Sequence, residues 1–213
     1  MNELPWIWTV LTPAALIGLL IAEYHRSRPG KWLFKPLASA GFVLTALAGG
    51  ALDTIYGITI LTGLLLSMAG DVLLIPRRRA TFLAGLVAFL LGHVAYAVAF
   101  GVHGVHWLFV MSAIVLLVVA GLLLARRYLP RIEGAMHGPV WAYGVVITVM
   151  LALAVGTYGA GGSWLIVSGA MLFYLSDLSV AGDRLIKPSF LQRAWGLPAY
   201  FGGQLLLALS VAH

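Results

Sequence analysis

Cysteine is absent from the chain. That excludes disulfides, a thiolate nucleophile, cysteine-ligated zinc and iron–sulfur clusters together. Charge is scarce as well: 9% of the 213 residues are Asp, Glu, Lys or Arg, and only seven are acidic. No P-loop, Rossmann glycine pattern or Ser–His–Asp arrangement occurs. What fills the space instead is apolar: 62% of the residues are hydrophobic, and the mean hydropathy is +1.00. A soluble domain of this size has no interior large enough to hide so much apolar surface. The expected fold is therefore an all-α, polytopic membrane protein, a single transmembrane domain over residues 1–213 with no soluble appendage. An isoelectric point near 9.9 would point to nucleic acid in a soluble domain. Here the basic residues punctuate apolar runs, which reads as membrane topology and gives no nucleic-acid partner.

Eight apolar runs are long enough to cross a bilayer, at residues 6–22, 36–52, 55–75, 81–101, 105–125, 138–156, 163–181 and 195–212. The second is short and interrupted by glycine, and Asp53 tips the tight hairpin that follows it. The charges test this count. Arg26, Arg28, Lys31 and Lys35 fall in the first connection and Arg77, Arg78 and Arg79 in the third. Arg126, Arg127 and Arg131 fall in the fifth, and Arg184, Lys187 and Arg193 in the seventh. These are all 13 Lys and Arg of the chain, and an error in the span count would scramble the alternation. Eight transmembrane helices with both termini on the non-cytoplasmic side follow, in a multi-pass protein expected in a bacterial inner membrane. Trp6, Trp8, Trp32, Trp107, Trp141, Trp164 and Trp195 lie near span ends, as an interfacial belt would. Met1-Asn-Glu-Leu-Pro5 lacks a basic n-region, so the first run is expected to stay as a helix. Most of the 25 glycines are expected to serve close helix packing.

The stretch at residues 63–79, GLLLSMAGDVLLIPRRR, organises the reading. Asp71 sits about five residues, or roughly 7–8 Å of helix, inside the basic boundary. A carboxylate in hydrocarbon is costly, so by default it marks a function and calls for a partner. Asp177, in LFYLSDLSVAGDRL, stands at similar depth before the next basic stop. Two aspartates facing one cavity do not both ionise easily, which yields a proton donor and an ionised base. Lys35, before Pro36 at the expected start of the second span, is placed to neutralise one aspartate or hold a phosphate. His93 and Tyr96 share a face one turn apart but lie deeper than Asp71. Tyr174 precedes Asp177 by three residues, Tyr200 and Gln204 share a face four residues apart, and Tyr143 is a similar candidate. Asp183, beside Arg184, reads as a cap or ion pair. His103 and His106 have no carboxylate nearby, so no metal site is read there. Ser67-Met-Ala-Gly-Asp71 echoes Ser179-Val-Ala-Gly-Asp183, which leaves a tandem four-plus-four repeat open.

Together these residues resemble the YhhN family of integral membrane proteins, whose animal members are lysoplasmalogenases. The similarity covers the second to eighth spans. It is carried by Lys35-Pro36, by LLSMAGDVLL around Asp71, and by Phe82, Gly85, Phe89, His93, Tyr96 and Ala99-Phe100-Gly101. LFYLSDLSVA around Asp177 and AYFGGQLLLALSVA around Gln204 complete it. The resemblance implies a cofactor-independent hydrolase that cleaves the vinyl-ether bond of a lysoplasmalogen to a fatty aldehyde and a glycerophospho-head group. The family's two catalytic aspartates carry over onto Asp71 and Asp177; Asp183 falls where animal members are expected to have asparagine and is not assigned to catalysis. Lys35 and the neighbouring loop arginines would hold the phosphate of the lysophospholipid substrate, with its single chain between helices. Neither a metal nor an organic cofactor is implied.

The same intramembrane carboxylates, with His and Tyr, also suit a proton-coupled transporter. An intramembrane aspartyl protease fits less well, because Met68 stands where its Gly-x-Gly-Asp motif needs the first glycine. A scaffold protein would tolerate alanine at both aspartates. A homodimer stays open, since apolar surface facing lipid reads the same as apolar surface facing a second copy.

Overall fold

The structure is a computed structural model that describes residues 5–213, with side chains from Ile7 onward. The expectations for residues 1–4 and for the Trp6 side chain lie outside the described residues. Eight long helices account for nearly all of the described chain: α1 (Pro5–Tyr24), α2 (Arg28–Ala48), α3 (Ile55–Leu73), α4 (Arg79–His103), α5 (Trp107–Tyr128), α6 (His137–Gly159), α7 (Trp164–Ala181) and α8 (Phe190–Leu209). Seven are long and apolar enough to cross a membrane. The exception is α2, whose first turns carry Arg28, Lys31 and Lys35.

Local chemistry sets the helix ends. Ser27 accepts the N–H of Gly30, and Pro29 falls in the first turn, where its missing N–H costs nothing. The second helix consequently starts eight residues before the expected boundary at Pro36. Lys35 and Pro36 lie inside α2, not at its N-terminus. At its other end α2 stops at Gly49, and the hairpin to α3 turns at Gly50, whose φ of +84° favours glycine. Asp53 lies in that turn, its N–H bonded to the Gly50 carbonyl. Thr54 and Ser163 cap α3 and α7 through their side chains. After α7 the backbone widens into a π-turn at Gly182–Ile186 before Ser189 caps α8.

Seven helices form a closed ring in which neighbours pack in the order α1, α2, α3, α4, α6, α7, α8 and back to α1. Helix α8 also packs on α2 and α3, so it fills the middle of one half. Helix α5 lies outside, mainly on α6, and buries only Val110 and Ala113, both near its start. The core joins Phe42, Ile60, Leu64, Phe89, Tyr96, Phe100, Met150, Leu151, Phe173 and Phe201 across the ring. One close crossing is α7 on α8, where Gly169 and Gly203 face each other so closely that a Cβ on either would stand 2.8–2.9 Å from the other's carbonyl oxygen. Leu, Ile and Val side chains are exposed around the outside, most densely on α5. Trp32, Trp107, Trp141, Trp164 and Trp195 are exposed near helix ends, as the expected belt requires.

Candidate active site

Charged residues at or beside the first, third and seventh connections line one cavity of about 670 Å³: Lys31 and Lys35 in the first turns of α2, Arg77, Arg184, and Arg193 in the first turn of α8. Tyr128, Leu129 and Ile132, at the fifth connection, line it as well, so the four basic connections converge on one end of the molecule. Deeper walls are apolar and come from α4, α5 and α6, including Phe82, Leu86, Leu117, Val118, Val145 and Val149. Asp71 and Asp177 both line the space between, and each holds a different set of partners.

Asp71 is 1% exposed. Its Oδ2 accepts the Ser39 hydroxyl at 2.6 Å and the Tyr200 hydroxyl at 2.7 Å. The Lys35 ammonium lies 3.1 Å from Oδ1 and donates to the Asp71 backbone carbonyl at 3.1 Å. Ser39 follows Lys35 by one turn, so α2 presents both to the same carboxylate. One cation and two hydroxyl donors are what a buried carboxylate anion needs. The expectation that Lys35 neutralises an aspartate is thus realised, by a lysine two turns inside its helix.

Asp177 has a 12% exposed side chain. Its Oδ1 accepts the Tyr143 hydroxyl at 3.1 Å, and its Oδ2 lies 3.1 Å from Nε2 of the fully buried His93. Neither Oδ2 nor Nε2 has another hydrogen-bond partner, and their contact is close in distance without the alignment of a straight hydrogen bond. His93 Nδ1 sits 2.7 Å from the Phe89 carbonyl. A carbonyl only accepts, so Nδ1 carries a hydrogen, and in a neutral imidazole Nε2 is then a bare lone pair. The ring is fixed by stacking on Phe173 at 4.1 Å between centroids and by the edge of Tyr143 at 5.4 Å. Asp177 and His93 are therefore in contact at the cavity wall, and Asp71 lies paired with Lys35 on the same cavity.

The remaining expected site residues divide. Tyr143, Tyr174 and Tyr200 line the cavity with Lys35. The hydroxyl on Asp177 is that of Tyr143, on α6, not that of Tyr174 one turn away. Tyr96 and Gln204 are fully buried and bonded to each other, Tyr96 OH to Gln204 Oε1, behind the cavity and not in its lining. His93 also stays behind the wall and reaches the cavity through Asp177. Asp183 is both cap and ion pair, since its Oδ1 accepts the Ser189 N–H at 2.8 Å and Arg193 Nη1 at 2.6 Å. Its Ser-Val-Ala-Gly-Asp echo of Asp71 thus ends in a π-turn at the cavity mouth, a different setting from Asp71 in the last α-helical turn of α3. Sequence reasoning missed Ser39 and Glu23. Ser39 was legible as the residue one turn beyond Lys35, whereas Glu23 pairs with Lys31 at 2.8 Å and Arg193 at 3.0 Å through a long-range fold that no spacing reveals. Among the described residues no group of three His, Asp or Glu is arranged to hold a metal.

Fold and site together define a polytopic helical membrane protein with paired aspartates on an amphiphile-shaped cavity, basic at its mouth and apolar within. The family model "YhhN family" matches residues 30–211, and the chain belongs to that family. Lysoplasmalogenase TMEM86A of Homo sapiens is 32% identical over 189 residues, covering 85% of this chain and 73% of the human protein. Its Bos taurus counterpart is 31% identical over 188 residues with the same coverage. Uncharacterized membrane protein YhhN of Escherichia coli O157:H7 is 29% identical over 216 residues, 96% of this chain and 99% of that one. No solved structure matches the chain.

Proposed function

We propose that this chain is a membrane-embedded hydrolase of lysoplasmalogens, single-chain phospholipids whose chain is joined to glycerol by a vinyl ether. The carrying observation is the contrast between its two aspartates, one in contact with His93 and Tyr143 and the other with Lys35, Ser39 and Tyr200, on the same cavity. The animal relatives named lysoplasmalogenase support the substrate class.

A vinyl ether is broken by protonating its β-carbon. The Asp177 carboxyl, which lines the cavity with His93 behind it, supplies that proton, and the α-carbon and ether oxygen become an oxocarbenium ion. Asp71 faces the developing cation as a fixed negative charge, the arrangement that glycosidases use around a similar ion. Water then adds to the α-carbon and returns its surplus proton to Asp177. The hemiacetal collapses to a fatty aldehyde and the glycerol hydroxyl of the head group. Protons balance over the cycle, and the net reactant is one water. Tyr143 and Tyr200 keep the two carboxylates oriented, and Tyr174 lines the space that the chain enters.

The test is aldehyde release from a lyso-alkenyl phospholipid by the purified protein in detergent. Wild type is expected to release aldehyde, and Asp71→Asn and Asp177→Asn none, with unchanged elution as folded protein. Full activity in either variant overturns the assignment of that aspartate. No aldehyde from folded wild type overturns the reaction.

A further inference from the structure

Two cations of the cavity are only loosely committed. Asp183 Oδ1 is satisfied by Arg193 and by the Ser189 N–H. Its Oδ2 is approached by Arg77 Nη2 at 3.8 Å and by Arg184 Nε at 3.9 Å, both beyond hydrogen-bond distance. Arg184 is nonetheless held in place: its Nη2 donates to the Leu74 carbonyl at the end of α3, and its guanidinium lies 6.0 Å from the centre of the Phe82 ring. Arg77 has a 52% exposed side chain and is free to move. The other cations are engaged closely, Lys31 and Arg193 on Glu23 at 2.8 and 3.0 Å and Lys35 on Asp71 at 3.1 Å.

We propose that Arg77 and Arg184 form a phosphate subsite for the head group of a single-chain ether phospholipid, and that Lys35 takes no part in it. This rests on the reading of the chain as a lysophospholipid hydrolase and names where its substrate is gripped. An anion entering between the two guanidinia takes donors that Asp183 does not need, because Arg193 and the Ser189 N–H stay on that carboxylate. Lys35, by contrast, would leave the buried Asp71 uncompensated if it turned to a phosphate.

The spacing fits. Arg77 lies six residues beyond Asp71, in the loop after α3, and Arg184 seven beyond Asp177, in the π-turn after α7, so each arginine stands on the mouth side of its aspartate in the one cavity. A lysoplasmalogen carries its phosphorus six bonds from the vinyl-ether α-carbon, about 7–8 Å when extended. A phosphate gripped by these long side chains therefore leaves the scissile bond beside the two carboxylates and the chain in the apolar part of the cavity.

The test uses a ligand that the proposed reaction cannot consume. A 1-O-alkyl lysophospholipid has no vinyl ether; its affinity is measured by fluorescence titration of the purified protein in detergent, since Trp141 and Trp195 line the cavity. The controls are a 1-O-alkylglycerol, which has the chain without the phosphate, and free glycerol phosphate, which has the phosphate without the chain. Wild type is expected to bind the alkyl lysophospholipid at least tenfold more tightly than the alkylglycerol. Arg77→Gln and Arg184→Gln are each expected to remove about that tenfold, the scale of a charge-assisted contact. Neither changes alkylglycerol affinity, and Arg184→Lys retains more than Arg184→Gln. Equal wild-type affinity for the two lipids, or unchanged lysophospholipid binding in Arg77→Gln, overturns the subsite. Free glycerol phosphate binding as tightly as the lipid overturns the lipid assignment in favour of a soluble phosphate ester. If Arg184→Gln fails to fold, the half-exposed Arg77 decides the outcome. Because the analogue is not cleaved, failure here is separate from failure of the aldehyde assay.

Discussion

Lys35 and Asp71 illustrate how a buried pair depends on both members. Removing one partner of such a pair strands a charge in a dry interior, which costs several times more than replacing both. Lys35→Met is expected to destabilise the folded protein by about 3 kcal/mol, read from thermal unfolding in detergent. Lys35→Met combined with Asp71→Asn is expected to recover most of that loss. If the double variant is no more stable than the single one, the pair is not the reason for the lysine. His93 is a positioning residue by the same geometry: it touches Asp177, not the cavity. His93→Gln is therefore expected to lower kcat about 100-fold while KM stays within a few-fold, because proton supply fails and binding does not. Much of this was readable beforehand. Intramembrane carboxylates are expensive wherever they occur, so Asp71 and Asp177 stood out by depth, whereas Lys35 read as a basic residue before the second span. The His93–Asp177 contact was not readable, because it joins α4 to α7 and depends on how the ring closes. Gln204 and Tyr96 were legible as polar residues on helix faces, but not as a pair satisfying each other behind the cavity.

At the scale of the element, apolar run length and charge punctuation located all eight helices to within a few residues, apart from the starts of α2 and α8, which come eight and five residues earlier than expected. Helix α2 begins in a polar stretch because Ser27 and Pro29 supply cap and first turn, a local signal that an apolar count overlooks. Helix pairing carries the next prediction. At the α7–α8 crossing a Cβ on Gly203 would lie 2.8 Å from the Gly169 carbonyl and 3.0 Å from the Phe173 nitrogen, backbone atoms that cannot turn aside. Gly203→Ala is expected to cost about 1–3 kcal/mol by overpacking, whereas Gly101→Ala, in α4 with open space around it, is expected to be neutral or slightly stabilising. The comparison is a pair of melting curves in detergent. Helix α5 offers a second test. It is anchored near its start and leaves Gly121 with nothing within 4 Å, while Val118 and Leu122 face the cavity. A lipid chain entering from the bilayer would pass between this end of α5 and α4. In the naturally cysteine-free chain, Leu86→Cys with Val118→Cys, joined by a bifunctional thiosulfonate, is expected to lose aldehyde release and to regain it on reduction. Full activity while cross-linked would move the entry elsewhere.

For the whole molecule, the question that composition raises is orientation. The structure brings the four basic connections to one end, which is what an alternation of basic and neutral loops requires of an antiparallel bundle. Which side of the membrane that end occupies follows only from the bias of Lys and Arg toward the cytoplasm. The lack of cysteine makes the test clean, because every thiol in a variant is one that was put there. Arg127→Cys, in the last turn of α5, and Leu52→Cys, in the hairpin between α2 and α3, sit at opposite ends of the bundle. In intact bacterial spheroplasts a membrane-impermeant maleimide is expected to label Leu52→Cys and to leave Arg127→Cys unmodified until the membrane is opened. The opposite pattern would place the cavity mouth, with Arg77 and Arg184, on the outer face. It would also require the phospholipid to be drawn from the outer leaflet, with no change to the chemistry between Asp71 and Asp177. Labelling of both in intact spheroplasts would contradict the crossing number itself, because an odd count of membrane passages between residues 52 and 127 is what separates the two ends.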